Sequence, residues 1–150
     1  MFSKACEYAI RAVLYIANKS KDGTRLSIRD IAREIASPEP FTAKILQALV
    51  RSGIVSSIKG PNGGFFLKPN AKPVSLHAIV MAVDGEEVLH SCALGLKECD
   101  DKFPCPIHKD VKAYKTRFRE ILHEKTVQDL AADLESGHAF LRNGKTRARR

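Results

Sequence analysis

The sequence predicts a mainly α-helical protein: a winged helix-turn-helix with a small β-hairpin wing and a long C-terminal dimerisation helix. Three observations carry that prediction. Two short amphipathic segments meet at a proline-bearing turn, and the second has a basic polar face. An alternating, β-branched segment with an Asn-Gly turn follows directly. Further on, apolar residues recur four and three apart from Ile107, the spacing of a helical seam.

In chain order, Cys6, Ala9, Ile10, Val13, Leu14 and Ala17 step three, one, three, one, three, which is one stripe of an amphipathic helix. Asp22-Gly23 closes it. Ser27, with Asp30 three residues on, caps a second helix whose inward face is Ile28, Ile31, Ala32 and Ile35. Ser37-Pro38-Glu39-Pro40 opens the third, because proline is tolerated in a first turn and not inside a helix. That helix runs to about Ser52, with Phe41, Ile45, Leu46, Leu49 and Val50 inward and Thr42, Lys44, Gln47 and Arg51 outward. Gly53 ends it. Residues 54–59 form a strand, Gly60-Pro61-Asn62-Gly63-Gly64 turns, and Phe65-Phe66-Leu67 returns, with Lys59 and Lys68 flanking the tip.

Ser75 caps a fourth helix over residues 76–83. Residues 84–106 lack periodicity. Ile107, Val111, Tyr114, Phe118 and Ile121 then form the seam, and Thr126 caps a last helix through Leu134. The expected organisation is a DNA-binding domain over 1–83, a cysteine-bearing loop over 84–106, dimerisation helices over 107–136 and a basic, disordered tail over 137–150.

Composition narrows the function. Lys and Arg total 25 against 17 Asp and Glu, a net charge of +8, which points to a polyanionic partner, nucleic acid first. At 44% hydrophobic the chain can bury a core. No apolar run is long enough for a membrane span, and the charged first helix is no secretory signal, so a cytoplasmic protein is expected with no membrane partner. His77, His90, Ser91, Cys92 and Asp100 are the residues from which a catalytic set would come, but no nucleophile elbow orders them, and no enzyme is expected.

In a cytoplasmic chain, cysteines serve as metal ligands or redox groups more often than as disulfides. Cys6 lies on the apolar stripe of the first helix and reads as a core thiol. Cys92, Cys99 and Cys105 are separated by six and five residues. Structural zinc favours gaps of two to four, so a larger object such as an iron–sulfur cluster fits better, with zinc and a metal-free thiol switch as rivals. Three thiolates leave one position open.

Lys44, Gln47 and Arg51 on the third helix, with Lys59 and Asn62 in the wing, are candidate DNA contacts. Thr42 and Lys44, near the helix N-terminus, are the expected base readers.

Glu7-Tyr8-Ala9-Ile10-Arg11-Ala12, the run Gly53-Ile54-Val55-Ser56-Ser57 leading into Lys59-Gly60-Pro61-Asn62-Gly63-Gly64, and the three-cysteine loop together resemble the Rrf-type winged-helix iron–sulfur regulators, typified by IscR and NsrR. The resemblance covers about residues 1–135. It implies a homodimeric transcription regulator, a repressor, that binds a palindromic operator on double-stranded DNA, exchanges a long helix at its interface and holds a cluster in the loop. The cluster is expected to be of the 2Fe–2S type ahead of 4Fe–4S. It also implies two candidates for the open position. His108 matches a cluster ligand of IscR-like relatives; otherwise it is a solvent-facing histidine of a first helical turn. Glu7 matches an acidic ligand that NsrR-like relatives donate from the partner subunit; otherwise it is an i,i+4 partner of Arg11. Ala43-Lys44 stands where some relatives carry an acidic or amide base reader.

Overall fold

The computed structural model describes residues 1–141. Helix α1 (Lys4–Lys19) is the hub, with α2 (Ile28–Ile35), α3 (Glu39–Arg51) and α4 (Leu76–Val83) packed around it. It buries Ala9 and Val13 of the expected stripe fully against Ile31, Leu46, Leu49 and Ile79, together with Ala12 and Ile16, which lie off that stripe, while Ile10 is only half-buried. Ser3, Ser27, Ser75 and Thr126 each cap a helix, their hydroxyls accepting from the backbone N–H three residues on. At α3 the cap is Pro38, and Pro40 sits in the first turn, where its missing N–H costs nothing. Between α2 and α3, Ala36 adopts the left-handed conformation (φ 53°) that turns the chain sharply.

The wing is shorter than the sequence pattern suggests. β1 (Ser56–Ile58) pairs antiparallel with β2 (Gly64–Phe66), Ser57 opposite Phe65. A third segment joins them: Leu26 exchanges backbone hydrogen bonds with Phe65, at 2.9 and 2.8 Å, so the loop before α2 is stitched to the wing. Gly63 and Gly64 permit this closeness. A Cβ at Gly63 would lie 2.0 Å from the Ile58 carbonyl oxygen, and one at Gly64 2.7 Å from that of Leu26.

A short helix, α5 (Glu87–His90), interrupts the segment that has no periodic pattern. Helix α6 (His108–Glu124) is the long C-terminal helix, and α7 (Val127–Glu135) turns back onto α1. Packing therefore divides differently from the expected 107–136 unit. Val127 and Ala131 of α7 are buried in the winged-helix core. Backbone bonds from Leu76 to Lys125 and from Val127 to Val74 fasten the α6–α7 junction to the start of α4. The tail cations Arg142, Lys145, Arg147, Arg149 and Arg150 lie outside the described residues. Of residues 137–141, Leu141 packs against the core.

The seam of α6 is divided. Its first part is open: Ile107 is 39% and Tyr114 52% exposed. Further along, Phe118 lies against Phe2, ring centroids 5.5 Å apart, in a second cluster that buries Leu122, Val80, Leu89 and Cys6. Part of the apolar surface thus has a partner within its own chain.

Candidate metal centre and nucleic-acid interface

The loop after α4 folds back so that the sulfurs of Cys92, Cys99 and Cys105 lie within 4.8 Å of one another. Cys92 and Cys105 are 3.9 Å apart, and the Cys105 backbone N–H donates to the Cys99 sulfur at 3.4 Å. The three thiols stand at one end of an open cleft of about 370 Å³, walled by α5 and α6. Soft donors converging from one short loop suit a thiophilic metal or an iron–sulfur cluster.

Helix α6 carries the next shell of contacts. His108, in its first turn, places Nδ1 3.1 Å from the Cys99 sulfur and Nε2 3.1 Å from a carboxylate oxygen of Asp101. Lys112, one turn on, pairs with the same carboxylate. Lys115 donates to the Ser91 carbonyl, and Arg119 donates to that of Leu89 at 3.4 Å. His108, Lys112, Lys115 and Arg119 follow one another at helical spacing, so one polar row of α6 grips the loop while the apolar seam occupies the adjacent row.

The thiols differ in acidity. Backbone N–H groups of Leu96 and Leu94 donate to Cys92 and bring it down to about 7, where about half is thiolate at neutral pH. Cys99 is shifted up: the Cys105 N–H works the other way, but burial and the adjoining Cys105 and Cys92 thiols outweigh it. Burial pushes Cys6 up to about 12, with Asp84 adding to the effect, and Cys6 sits in the second apolar cluster away from the loop. It is a core thiol, as its place on the stripe suggests.

Glu7 is exposed on α1 and lies outside this constellation. Its ion pair is with Lys4, 3.0 Å away, and not with Arg11. The Arg11 guanidinium instead lies over the Tyr8 ring, 4.7 Å from its centre. Cation–π contact with a neighbouring aromatic ring has displaced the expected i,i+4 pair.

Away from the cysteine loop in the chain, Gln47 and Arg51 of α3 line a groove of about 420 Å³ together with Ser57, Lys59 and Gly64 of the wing. Lys44 is exposed one turn earlier on the same face of α3. Thr42 does not join them. It is fully buried, and its hydroxyl donates to the Pro38 carbonyl at 3.0 Å, a satisfied core hydroxyl that cannot reach a base. Its assignment as a base reader is therefore corrected, and Lys44 is left as the exposed candidate in the first half of α3. Asn62 is exposed at the wing tip, where its carbonyl accepts from Arg25 at 2.9 Å. Arg25 also lies over the Phe66 ring, 5.8 Å from its centre. Sequence reading overlooked Arg25 because it lies in a turn; only the Leu26–Phe65 pairing brings it to the wing.

The family's sequence profile, described as "Rrf2: Iron-dependent Transcriptional regulator", matches residues 2–133. The chain belongs to the Rrf2 family. It is a DNA-binding transcriptional regulator and not an enzyme. The Rrf2 chain is 27% identical over 128 residues to the HTH-type transcriptional regulator IscR of Pectobacterium atrosepticum, covering 85% of this chain and 77% of that one. Its fold is similar to that of CymR, the global cysteine regulator of B. subtilis, with a TM-score of 0.70 at 22% identity over 88% of this chain and 96% of that one. T. potens IscR gives a TM-score of 0.68 at 21% identity, covering 93% and 92%. These structures share the winged helix, hairpin and C-terminal helices. Among the described residues, no helix is long and apolar enough to cross a membrane.

Proposed function

We propose that this Rrf2 regulator is a homodimeric repressor whose affinity for a palindromic operator is set by an iron–sulfur cluster held by Cys92, Cys99, Cys105 and His108. The observation that carries the reading is the convergence of three thiols on one side of a cleft, with an imidazole nitrogen 3.1 Å from one of them. Glu7 pairs with Lys4 within its own subunit, which favours His108 for the open position. When bound, the cluster supplies a centre reactive to nitric oxide, oxidants and iron–sulfur status, with the 2Fe–2S type ahead of 4Fe–4S.

The chain's own residues supply the coupling. The loop is fastened to α6 through Asp101, Ser91 and Leu89, so a change in the order of the loop acts on the helix that carries the open dimer seam. Ile107, Val111 and Tyr114 form that seam's free part, continued by Phe118 and Ile121. A two-fold axis there presents two copies of α3 to the two half-sites. On each copy Lys44, Gln47 and Arg51 face the major groove, while Lys59 and Asn62 approach the backbone or adjacent groove from the wing. Phosphate contacts from the lysines supply affinity, and base contacts from α3 supply specificity.

A second reading has its own support. Cys92 is acidic and 3.9 Å from Cys105, so without metal a peroxide could oxidise Cys92 to a sulfenic acid, which Cys105 would convert to a disulfide with release of water. The visible absorption spectrum and the iron-to-sulfide ratio of anaerobically purified protein separate the readings. A coloured protein with equal iron and sulfide supports the cluster. Colourless protein with one zinc supports a structural metal, and colourless metal-free protein supports the thiol switch.

A further inference from the structure

Two loop carboxylates, Asp100 and Asp101, line the cleft beside the thiols; Asp100 accepts from the backbone of Lys102 and Phe103, whereas Asp101 reaches α6. Asp101 lies between two residues of the same α6 face. Its Oδ1 is 3.1 Å from His108 Nε2, and its Oδ2 pairs with Lys112 one turn later. It is exposed, and exposed ion pairs contribute little to stability. The arrangement is specific in another sense.

An ionised carboxylate only accepts hydrogen bonds, and the Lys112 ammonium pairs with the other oxygen of Asp101. The nitrogen facing it must therefore carry a proton. A neutral imidazole has one proton, so Nδ1 is left as a bare lone pair. That lone pair is 3.1 Å from the Cys99 sulfur, on the side where the three thiols converge. Rotation about the ring axis would break both contacts at once.

We propose that Asp101 is a positioning residue: anchored by Lys112, it fixes His108 as the Nε2–H tautomer with Nδ1 presented as the fourth ligand. The proposal rests on the reading of His108 as a ligand given above. A carboxylate behind a metal-ligating histidine fixes tautomer and orientation and raises the ligand's basicity, and losing such a partner typically weakens metal binding by about 10–100-fold.

The test has two parts. In metal-free protein labelled with nitrogen-15, imidazole resonances at about pH 8, above the ordinary histidine range, report the tautomer of His108. Wild type is expected to show Nε2–H alone, and Asp101→Asn, of equal size but able to donate as well as accept, a mixture. In Co(II) titrations of the same metal-free proteins, Asp101→Asn is expected to bind roughly 10–100-fold more weakly. His108→Ala separates the proposal from the reading beneath it. If His108→Ala leaves the Co(II) ligand-field spectrum unchanged, His108 is not a ligand and the underlying reading fails. If His108→Ala alters that spectrum but Asp101→Asn keeps the wild-type tautomer and affinity, Asp101 does not position it. A mixed tautomer in the wild type would overturn the proposal without any variant.

Discussion

In the winged-helix half, Val13, Ile31, Leu46 and Leu49 are fully or almost fully buried, and four hydroxyl caps close the helix starts; between Gly85 and Pro106 only Leu89 and Cys105 are buried, while Leu94, Leu96 and Phe103 face solvent. The first region is held by apolar burial and helix propensity. The second is held by polar contacts to α6. The contrast teaches where each half draws its stability: the DNA-reading frame from its apolar core, and the loop from the polar row of α6 that grips it.

That contrast can be broken most forcefully at the thiols. Cys99→Ser is expected to abolish metal and cluster binding, seen as loss of visible absorption in anaerobic protein. The far-ultraviolet helix signal should keep nearly all its amplitude, because the loop contributes only α5. A Cys99→Ser protein that unfolds would show that the two halves are not independent.

The converse substitution is Leu46→Ala. Removing a fully buried side chain under α1 should cost about 2–5 kcal/mol in chemical denaturation, with the loop's metal affinity nearly unchanged while the protein is folded. A cost below about 1 kcal/mol would mean the core is looser than its burial indicates.

Tyr114→Glu sharpens the comparison at the helix shared by both halves. Tyr114 is more than half exposed; its ring stacks on Phe118 and its hydroxyl donates to the Met1 sulfur at 3.5 Å, so the substitution leaves the buried core in place, and light scattering should show dissociation to monomer. Tyr114 is more exposed than Phe118, whose ring packs on Phe2 at the edge of the second buried cluster. A Tyr114→Glu protein that stays dimeric would place the interface elsewhere.

The smallest effects are expected at the DNA face. Lys59→Ala should weaken binding to all sequences alike and reduce the salt slope by about one. Lys44→Ala, if the lysine contacts a base, should cost about 1–3 kcal/mol on the operator and relax one base position. Unchanged affinity for both at matched salt would remove α3 and the wing as the reading surface.

Most of the frame was legible in the sequence because its signals are local. Ser27, Ser75 and Thr126 mark helix starts, Pro38 and Pro40 mark the third, and Gly63-Gly64 marks the wing turn, each through its own backbone chemistry. The Cys92, Cys99 and Cys105 cluster was legible from spacing alone. What escaped depends on contacts far apart in the chain. Thr42 reads as an outward polar residue until its hydroxyl is seen bonding to Pro38. Arg25 acquires meaning only when Leu26 pairs with Phe65. Asp101 is one of several loop acids until α6 sets His108 and Lys112 on either side of it. The return of α7 to the winged-helix core rests on Val127 and Ala131, whose pattern gives an apolar face but not its partner.

The central claim is that the loop's occupant controls DNA affinity, and an occupant can shift affinity only by interacting differently with the DNA-competent and incompetent forms. The direct measurement is the dissociation constant of cluster-loaded, metal-free and nitrosylated protein for one operator, selected in vitro from random duplexes, at a single salt concentration. The three are expected to differ by about 5–150-fold, the ordinary range of allosteric coupling. Equal affinity for all three would contradict the claim and leave a DNA-binding protein whose cysteine loop plays no part in control.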